Sequence, residues 1–213
     1  MNKNIIRKEI KLILNSLTKD EILIQSNNVI SKLIESSIFQ NSKSIAIYMS
    51  MDNELQTLKL IEKCFQLNKI VYLPHCYKII NNNQDQDIKL YDGQKSYLKF
   101  FQMDSFNSVL SLEPIGKFKL KEPTSGINLL DTSNGLDLLI LPGVAFTKKC
   151  GRLGHGMGFY DDFIKRYQLK FQGKPILIGI GLKQQLIENL PLESHDELLD
   201  YTIIDDQIYK RES

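Results

Sequence analysis

Three observations predict an α/β fold, three layers deep, with a mostly parallel central sheet. Short apolar runs without alternation recur along the chain. Segments of helical period fall between several of them. A glycine-rich stretch joins one such run to a helical segment. A strand buried on both faces has no polar side to alternate with, which is the pattern of a parallel sheet covered by helices.

In chain order, Ile5, Ile6, Ile10, Ile13, Leu14 and Leu17 share a stripe and predict an amphipathic helix over residues 4–17. The capping-box sequence TKDE, Thr18 to Glu21, starts a second helix running to about Glu35. The apolar runs are SIAIYMSM (44–51), KIVYLP (69–74), DLLILPG (137–143), PILIGIGL (175–182) and YTIID (201–205). Helical patterns are LQTLKLIEKCFQL (55–67), FYDDFIKRYQL (159–169) and KQQLIENL (183–190). Phe159, Phe163 and Tyr167, at i, i+4 and i+8, form the core face of the second of these. Between about 80 and 135 the pattern breaks down. IINNNQDQD reads as a loop, IKLYDG as an edge strand, and SLEPIGKFKLKEPTSG as a long connection punctuated by Pro and Gly.

At 213 residues the chain fits one domain, with no linker or internal repeat in view. It is 42% hydrophobic and 24% charged, ordinary for a globular protein, and its net charge of +2 implies no general pull toward nucleic acid or a membrane surface. No apolar run approaches the ~20 residues that cross a bilayer. No leftover amphipathic surface stands out, which points to a monomer. The cysteines Cys64, Cys76 and Cys150 form no CxxC pair and suit a reducing compartment. His75, Cys76 and His195 have no zinc-site spacing. The first 17 residues mix charge through apolar positions, unlike a signal peptide. The cytoplasm is the expected location. A mitochondrial leader is the alternative, against which Glu9 comes early.

The stretch GRLGHGMGFYDDFI, residues 151–164, carries the chemistry. It follows a strand and precedes a helix, so it lies at the carboxyl end of the sheet, where ligands of open α/β sheets bind. Glycines let backbone N–H groups approach a ligand, and a helix N-terminus favours an anion. Lys148, Lys149 and Arg152 add cations. Phosphate suits this set, although neither GxxxxGK[ST] nor GxGxxG occurs; a tight turn needing positive φ is the competing explanation. Asp161 and Asp162 follow in the first helical turn. Acids there compensate the helix dipole, but beside bound phosphate a carboxylate needs an intervening cation, usually Mg²⁺.

PGVAF followed by RLGHGMGFYDDFI resembles the signature of the 5-formyltetrahydrofolate cyclo-ligase family, also called methenyltetrahydrofolate synthetases. KNIIRKEIK, SIAIYMSMDNELQT, KIVYLP and HDELLDYTIID resemble further family segments, so the likeness is thin only between about 78 and 135. It implies a fold similar to sugar-phosphate isomerases and CoA-transferases, and an enzyme using ATP and Mg²⁺ on a reduced folate. In that reaction the formyl oxygen is phosphorylated, N10 attacks the activated carbon, and 5,10-methenyltetrahydrofolate, ADP and phosphate leave.

The resemblance also assigns roles. Lys3 and Arg7, one helical turn apart, would reach the ATP phosphates; by pattern alone they are a solvated basic face. Arg152, Leu153, Gly154, His155, Gly156, Met157, Gly158, Phe159 and Tyr160 match the nucleotide loop, with Arg152 and Tyr160 the catalytic pair. His155 to Phe159 would also border the folate. Met49 would line the substrate, and Glu54 would contact the pterin; their plainer readings are a core Met and a helix-start acid. Asp161 matches the metal-binding acid and Asp200 a second one, for which a strand-edge aspartate is the alternative. In the middle region, where no motif aligns with the family, Phe118 and Lys119 are candidates for the folate-tail and lid contacts. The chain departs from many relatives at His155, Met157 and Phe159. Met157 carries no charge, and only Tyr160 of the aromatic pair keeps a hydroxyl.

Two other classes fit the residues. A sugar-phosphate isomerase would use the anion loop without ATP, and a folate or nucleotide binder would have lost turnover. Lys3, Arg7 and the paired acids favour the ligase over the first. Intact Arg152, Tyr160 and Asp161 favour it over the second.

Overall fold

The structure, a computed structural model, describes residues 2–79, 94–116, 119–193 and 196–212. Three helices open the chain: α1 (Lys3–Asn15), α2 (Lys19–Glu35) and α3 (Ser37–Asn41). Thr18 caps α2 as its sequence predicts, accepting from Glu21 N while Glu21 accepts from Thr18 N. Next come β1 (Ser44–Ala46), α4 (Leu58–Gln66), β2 (Ile70–Lys78) and β3 (Ser96–Met103). Then follow α5 (Phe106–Leu110), the small β4 (Pro114–Ile115) and β5 (Leu120–Lys121), β6 (Leu138–Leu141), β7 (Ala145–Phe146) and β8 (Arg152–Leu153). The chain closes with α6 (Phe159–Phe171), β9 (Ile176–Gly181), β10 (Tyr201–Ile204) and β11 (Gln207–Lys210).

Seven strands form one sheet in the order β11-β10-β9-β6-β1-β2-β3. Every pairing from β10 to β2 is parallel, and the two edge strands, β11 and β3, run antiparallel. The unbroken apolar runs are explained by burial on both faces. Ile45, Leu138, Ile140, Ile178 and Ile180 face a core shared with α1, α2 and α4. Ala46, Leu139, Leu141 and Leu177 face a second core with α6, centred on Phe163, Ile164 and Tyr167. The three layers are those the sequence predicts.

Several details differ. The ladder of β1 ends at Ala46 rather than running to 51, because a turn begins there: Tyr48 Oη donates to Leu55 O, and Thr57 Oγ1 donates to Tyr48 O. Residues 183–190 hold only a single 3₁₀ turn, Lys183–Gln185, since the amide of Gln185 turns back onto Leu182 N and bonds elsewhere instead of extending a helix. The stripe on α1 is narrower than the apolar letters suggest. Ile6, Ile10 and Leu14 are buried, whereas Ile5, Leu12 and Ile13 face outward, as do Leu23 and Ile24 of α2. Leftover apolar surface therefore exists on these helices. The β4–β5 and β7–β8 hairpins and the edge strands β3 and β11 are additions to the sequence-based picture. IKLYDG, most of IINNNQDQD, Phe118 and His195 lie outside the described residues.

Candidate active site

Parallel strands end on one edge, and their following loops converge there. After β6, Pro142 to Val144 lead into the β7–β8 hairpin, which delivers Arg152 and then the glycines. Positive φ is found at Gly156 (97°) and Gly158 (66°), while Gly154 is ordinary. The turn reading of the loop thus accounts for two of its three glycines. Gly158 is the N-cap of α6 and has no side chain to offer, and a Cβ there would meet nothing within 4 Å.

α1 docks against this loop. Arg7 Nε donates to Gly154 O at 2.9 Å, and its guanidinium lies 3.4 Å from the position a Cβ on Gly156 would take. Lys3 shares the face but reaches another segment, pairing with Asp196 at 2.7 Å and Glu193 at 3.2 Å. Burial works against its ammonium, but the bonds to Asp196 and Glu193 outweigh this and hold its pKa above the usual lysine value.

Arg152 is the buried cation of the site, its side chain only 5% exposed. Its Nη2 donates to both oxygens of Asp161, at 3.0 and 3.1 Å. Its Nε is buried without a partner among the described residues, and its guanidinium carbon lies 5.7 Å from the Tyr160 ring centroid. A buried cation with an idle donor, beside a helix N-terminus, is built for an anion. Asp162, although adjacent to Asp161, points into the protein. It accepts from Arg166 Nε at 2.8 Å and Gln94 Nε2 at 3.0 Å.

The opposite wall comes from the turn after β1. Glu54 Oε2 accepts from Met51 N at 2.9 Å, closing the turn, and Oε1 lies 3.6 Å from Nε2 of the exposed His155. Met49 is partly buried against the α1–α2 core. Tyr160 is partly buried and packs edge-on against Phe100, 6.3 Å between centroids. Its phenol is pushed far above the ordinary tyrosine value, first by burial and then by Glu54, with Glu122 adding and Arg152 opposing. Tyr48 is raised by burial and by Glu54 and Tyr160. Arg7, Arg152 and Asp161 thus lie together on the loop side, and Glu54 approaches the loop at His155 from the turn after β1.

Of the residues predicted from the sequence, Arg7, Glu54, Arg152 to Tyr160 and Asp161 gather at this edge. Asp200 does not join Asp161. It sits at the start of β10, where one oxygen accepts from Leu177 N and the other from Arg211 Nη2, both at 2.9 Å. Among the described residues no group of three or more His, Cys, Asp or Glu could hold a metal ion. Three residues escaped the sequence reading. Asp196 and Glu122 lack a distinguishing pattern. Gln185, only 3% exposed, donates to Gly143 O and Val144 O at the loop's entrance, and a Gln inside a supposed amphipathic helix was the one hint of it.

The family model of 5-formyltetrahydrofolate cyclo-ligases matches residues 1–205. The 5-formyltetrahydrofolate cyclo-ligase of Saccharomyces cerevisiae is 38% identical over 208 residues, covering 96% of this chain and 95% of that protein. The enzyme of the same name from Mus musculus is 30% identical over 203 residues, covering 94% and 92%. An NMR structure of Aquifex aeolicus 5,10-methenyltetrahydrofolate synthetase has a TM-score of 0.75 and 23% identity, covers 100% of this chain and 94% of its own, and supports the fold. With sequence signature, fold and relatives in agreement, the chain belongs to the 5-formyltetrahydrofolate cyclo-ligase family, enzymes of folate metabolism.

Proposed function

We propose that this chain converts 5-formyltetrahydrofolate to 5,10-methenyltetrahydrofolate with ATP and Mg²⁺, releasing ADP and phosphate. The observation that carries this reading is the cluster of Arg7 and Arg152 beside a glycine loop and helix N-terminus, with Glu54 beside His155 of the same loop. The arginine side suits phosphates, and the carboxylate side suits the N–H groups of a pterin.

A formamide oxygen is a poor leaving group, and phosphorylation makes it a good one. The protein's task is to align γ-phosphate, formyl oxygen and N10, and to stabilise charge on the moving phosphoryl group. In this reading the backbone from Leu153 to Tyr160 and the Arg7 guanidinium bind the phosphates. The idle Nε of Arg152 supplies a donor to the transferring group in a site where water does not screen it. Lys3 joins by exchanging Asp196 and Glu193 for a phosphate oxygen. Met49 and the segment His155 to Phe159 border the folate, and Glu54 accepts from the pterin. The Tyr160 phenol, pushed above the ordinary tyrosine value by burial, serves as a donor. Met157 lines the loop without charge.

Mg²⁺ takes one or two carboxylates and completes its shell with water and phosphate oxygens. Asp161 fits that requirement through Oδ2: its side chain is 23% exposed, and Oδ2 accepts only from Arg152 Nη2, whereas Oδ1 accepts from both Arg152 Nη2 and, at 3.4 Å, Glu197 N. Held there, the ion would neutralise phosphate charge. We assign Asp200 instead to fixing the start of β10 against β9. The three thiols are free, and no helix among the described residues is long and apolar enough to cross a membrane. We keep the cytoplasm as the proposed location; the exposed apolar residues of α1 and α2 remove the sequence argument for a monomer.

The test is the near-ultraviolet absorbance of the methenyl product. The purified chain is mixed with 5-formyltetrahydrofolate and Mg²⁺, with and without ATP. Formation that requires ATP, and is lost in Asp161→Asn, is expected. No product with ATP from folded protein overturns the proposal.

A further inference from the structure

α6 begins without a side-chain cap. Its N-cap is Gly158, and Asp162 N donates to Gly158 O at 2.9 Å. An uncapped helix end is prone to fray. Phe159, Tyr160 and Asp161, in the turn proposed to meet phosphate and metal, are each only partly buried. Asp162 comes next and is the first buried residue of the helix. Its side chain, 6% exposed, is gripped at two points by Arg166, one turn further on. Arg166 Nε donates to Oδ2 at 2.8 Å and Nη2 to Oδ1 at 3.2 Å.

Gln94, itself 3% exposed, closes the ring. Its Nε2 donates to Asp162 Oδ1 at 3.0 Å and to Ser96 O at 3.3 Å, and its Oε1 accepts from Arg166 Nη2 at 3.3 Å. The Arg166 guanidinium carbon also lies 4.7 Å from the Tyr97 ring centroid. Gln94 stands just ahead of β3, which runs antiparallel to β2. The start of β3 is therefore at the edge where the parallel strands finish and the glycine loop begins. The ring ties the first turn of α6 to the sheet at that same edge.

Stability does not account for such a ring. Desolvation cancels much of the attraction in a buried ion pair, and apolar residues of like volume hold a core as well or better. What the pair adds is orientation. Apolar contacts such as Phe163 on Phe100, 4.3 Å between centroids, allow a helix to turn or slide, whereas a bidentate pair with a third partner accepts one arrangement. Neighbouring side chains on a helix point about 100° apart, so holding Asp162 inward holds Asp161 toward Arg152. Arg152 grips Asp161 directly, but through the carboxylate that a cation would share. The ring behind it does not depend on the ligand.

We propose that Asp162, Arg166 and Gln94 are positioning residues: their buried ring sets the rotation of the first turn of α6, keeping Asp161 and the helix N-terminus aimed at the metal-bound nucleotide. The inference rests on the cyclo-ligase reading and deepens it.

The test uses the double variant Asp162→Leu with Arg166→Met, which puts apolar residues of similar size in place of the pair and leaves neither charge buried alone. Arg166→Lys is its companion, keeping the charge without the two-point grip. For the double variant we expect a urea midpoint at or above that of wild type, kcat/KM for ATP lowered about 10- to 100-fold, the scale of a small misplacement, and an unchanged KM for 5-formyltetrahydrofolate. Calorimetric titration with ADP and Mg²⁺, without folate, should weaken in step, and amide hydrogen exchange should quicken in the first turn of α6 alone. Arg166→Lys should fall between the two. A folded double variant with wild-type ATP kinetics and wild-type ADP affinity overturns this proposal alone. So does one whose urea midpoint falls and whose two KM values rise together, as loss of a purely structural anchor would produce. If the double variant is too unstable to assay, Arg166→Lys decides, and unchanged ATP kinetics there overturn the proposal. A folded wild type that neither turns over nor binds the nucleotide overturns both readings.

Discussion

Replacing Gln185 by Leu tests whether the glycine loop, proposed to bind the nucleotide, is held from behind. The side-chain amide sits between two loops at 3% exposure. Its Oε1 accepts from Leu182 N at 2.8 Å, and its Nε2 donates to Gly143 O and, at 3.3 Å, to Val144 O. Leucine fills similar space but pairs with none of these groups. The 3.3 Å contact is weak, so two backbone groups, Leu182 N and Gly143 O, lose their main partner. Each buried orphan costs about 1–3 kcal/mol. Partial relaxation toward water reduces the sum, and we expect about 2–4 kcal/mol. Urea unfolding should show this as a lower midpoint with an unchanged slope. The same change loosens the segment that leads to Arg152, because Val144 N donates to Leu153 O within the hairpin. KM for ATP should therefore rise several-fold at temperatures where the variant is fully folded, while KM for the folate moves less. A loss below about 0.5 kcal/mol, in the range of an ordinary surface change, together with an unchanged KM for ATP, would refute the reasoning.

Four further outcomes follow from the structure. Thr18→Ala removes the α2 cap and should cost ~1 kcal/mol in thermal unfolding. Glu21 is held below the ordinary glutamate value by the Thr18 backbone N–H and hydroxyl. A lowered folded pKa gives stability that is present above the unfolded pKa and lost as pH falls through the folded one. The difference between wild type and Glu21→Gln should therefore shrink steadily on acidification through the glutamate range, and a gap that widened would contradict the capping role. Gly158→Ala places a Cβ in open space but at φ 66°, so its cost should be backbone strain alone, about 1–2 kcal/mol, with Gly158→Asn losing less. Gly179→Ala is the opposite case. Its Cβ would collide with Leu199 and lie 2.6 Å from Phe146, so denaturant unfolding should show a loss of about 3 kcal/mol or more.

What the sequence disclosed, and what it withheld, follows from the range of the forces involved. Burial on two faces acts on every residue of a strand, so β6 and β9 could be read from LLIL and ILIGIG without knowing their neighbours. A capping box is closed within four residues, so Thr18 and Glu21 could be read in the same way. The edge strand β3 could not, since SYLKFFQM takes its place from pairing with β2 across the chain. The same held for residues 183–190, where the helical period was present but the bonds of Gln185 to Gly143 and Val144 decided the conformation. The site shows the limit most sharply at Asp161 and Asp162. In the sequence they are one letter repeated. On a helix, neighbours point about 100° apart, and that rotation sends one carboxylate to Arg152 in the cleft and the other to Arg166 and Gln94 in the interior. The motif located the acids. Only the packing of α6 against β3 determined which of them meets Arg152 and which meets Arg166.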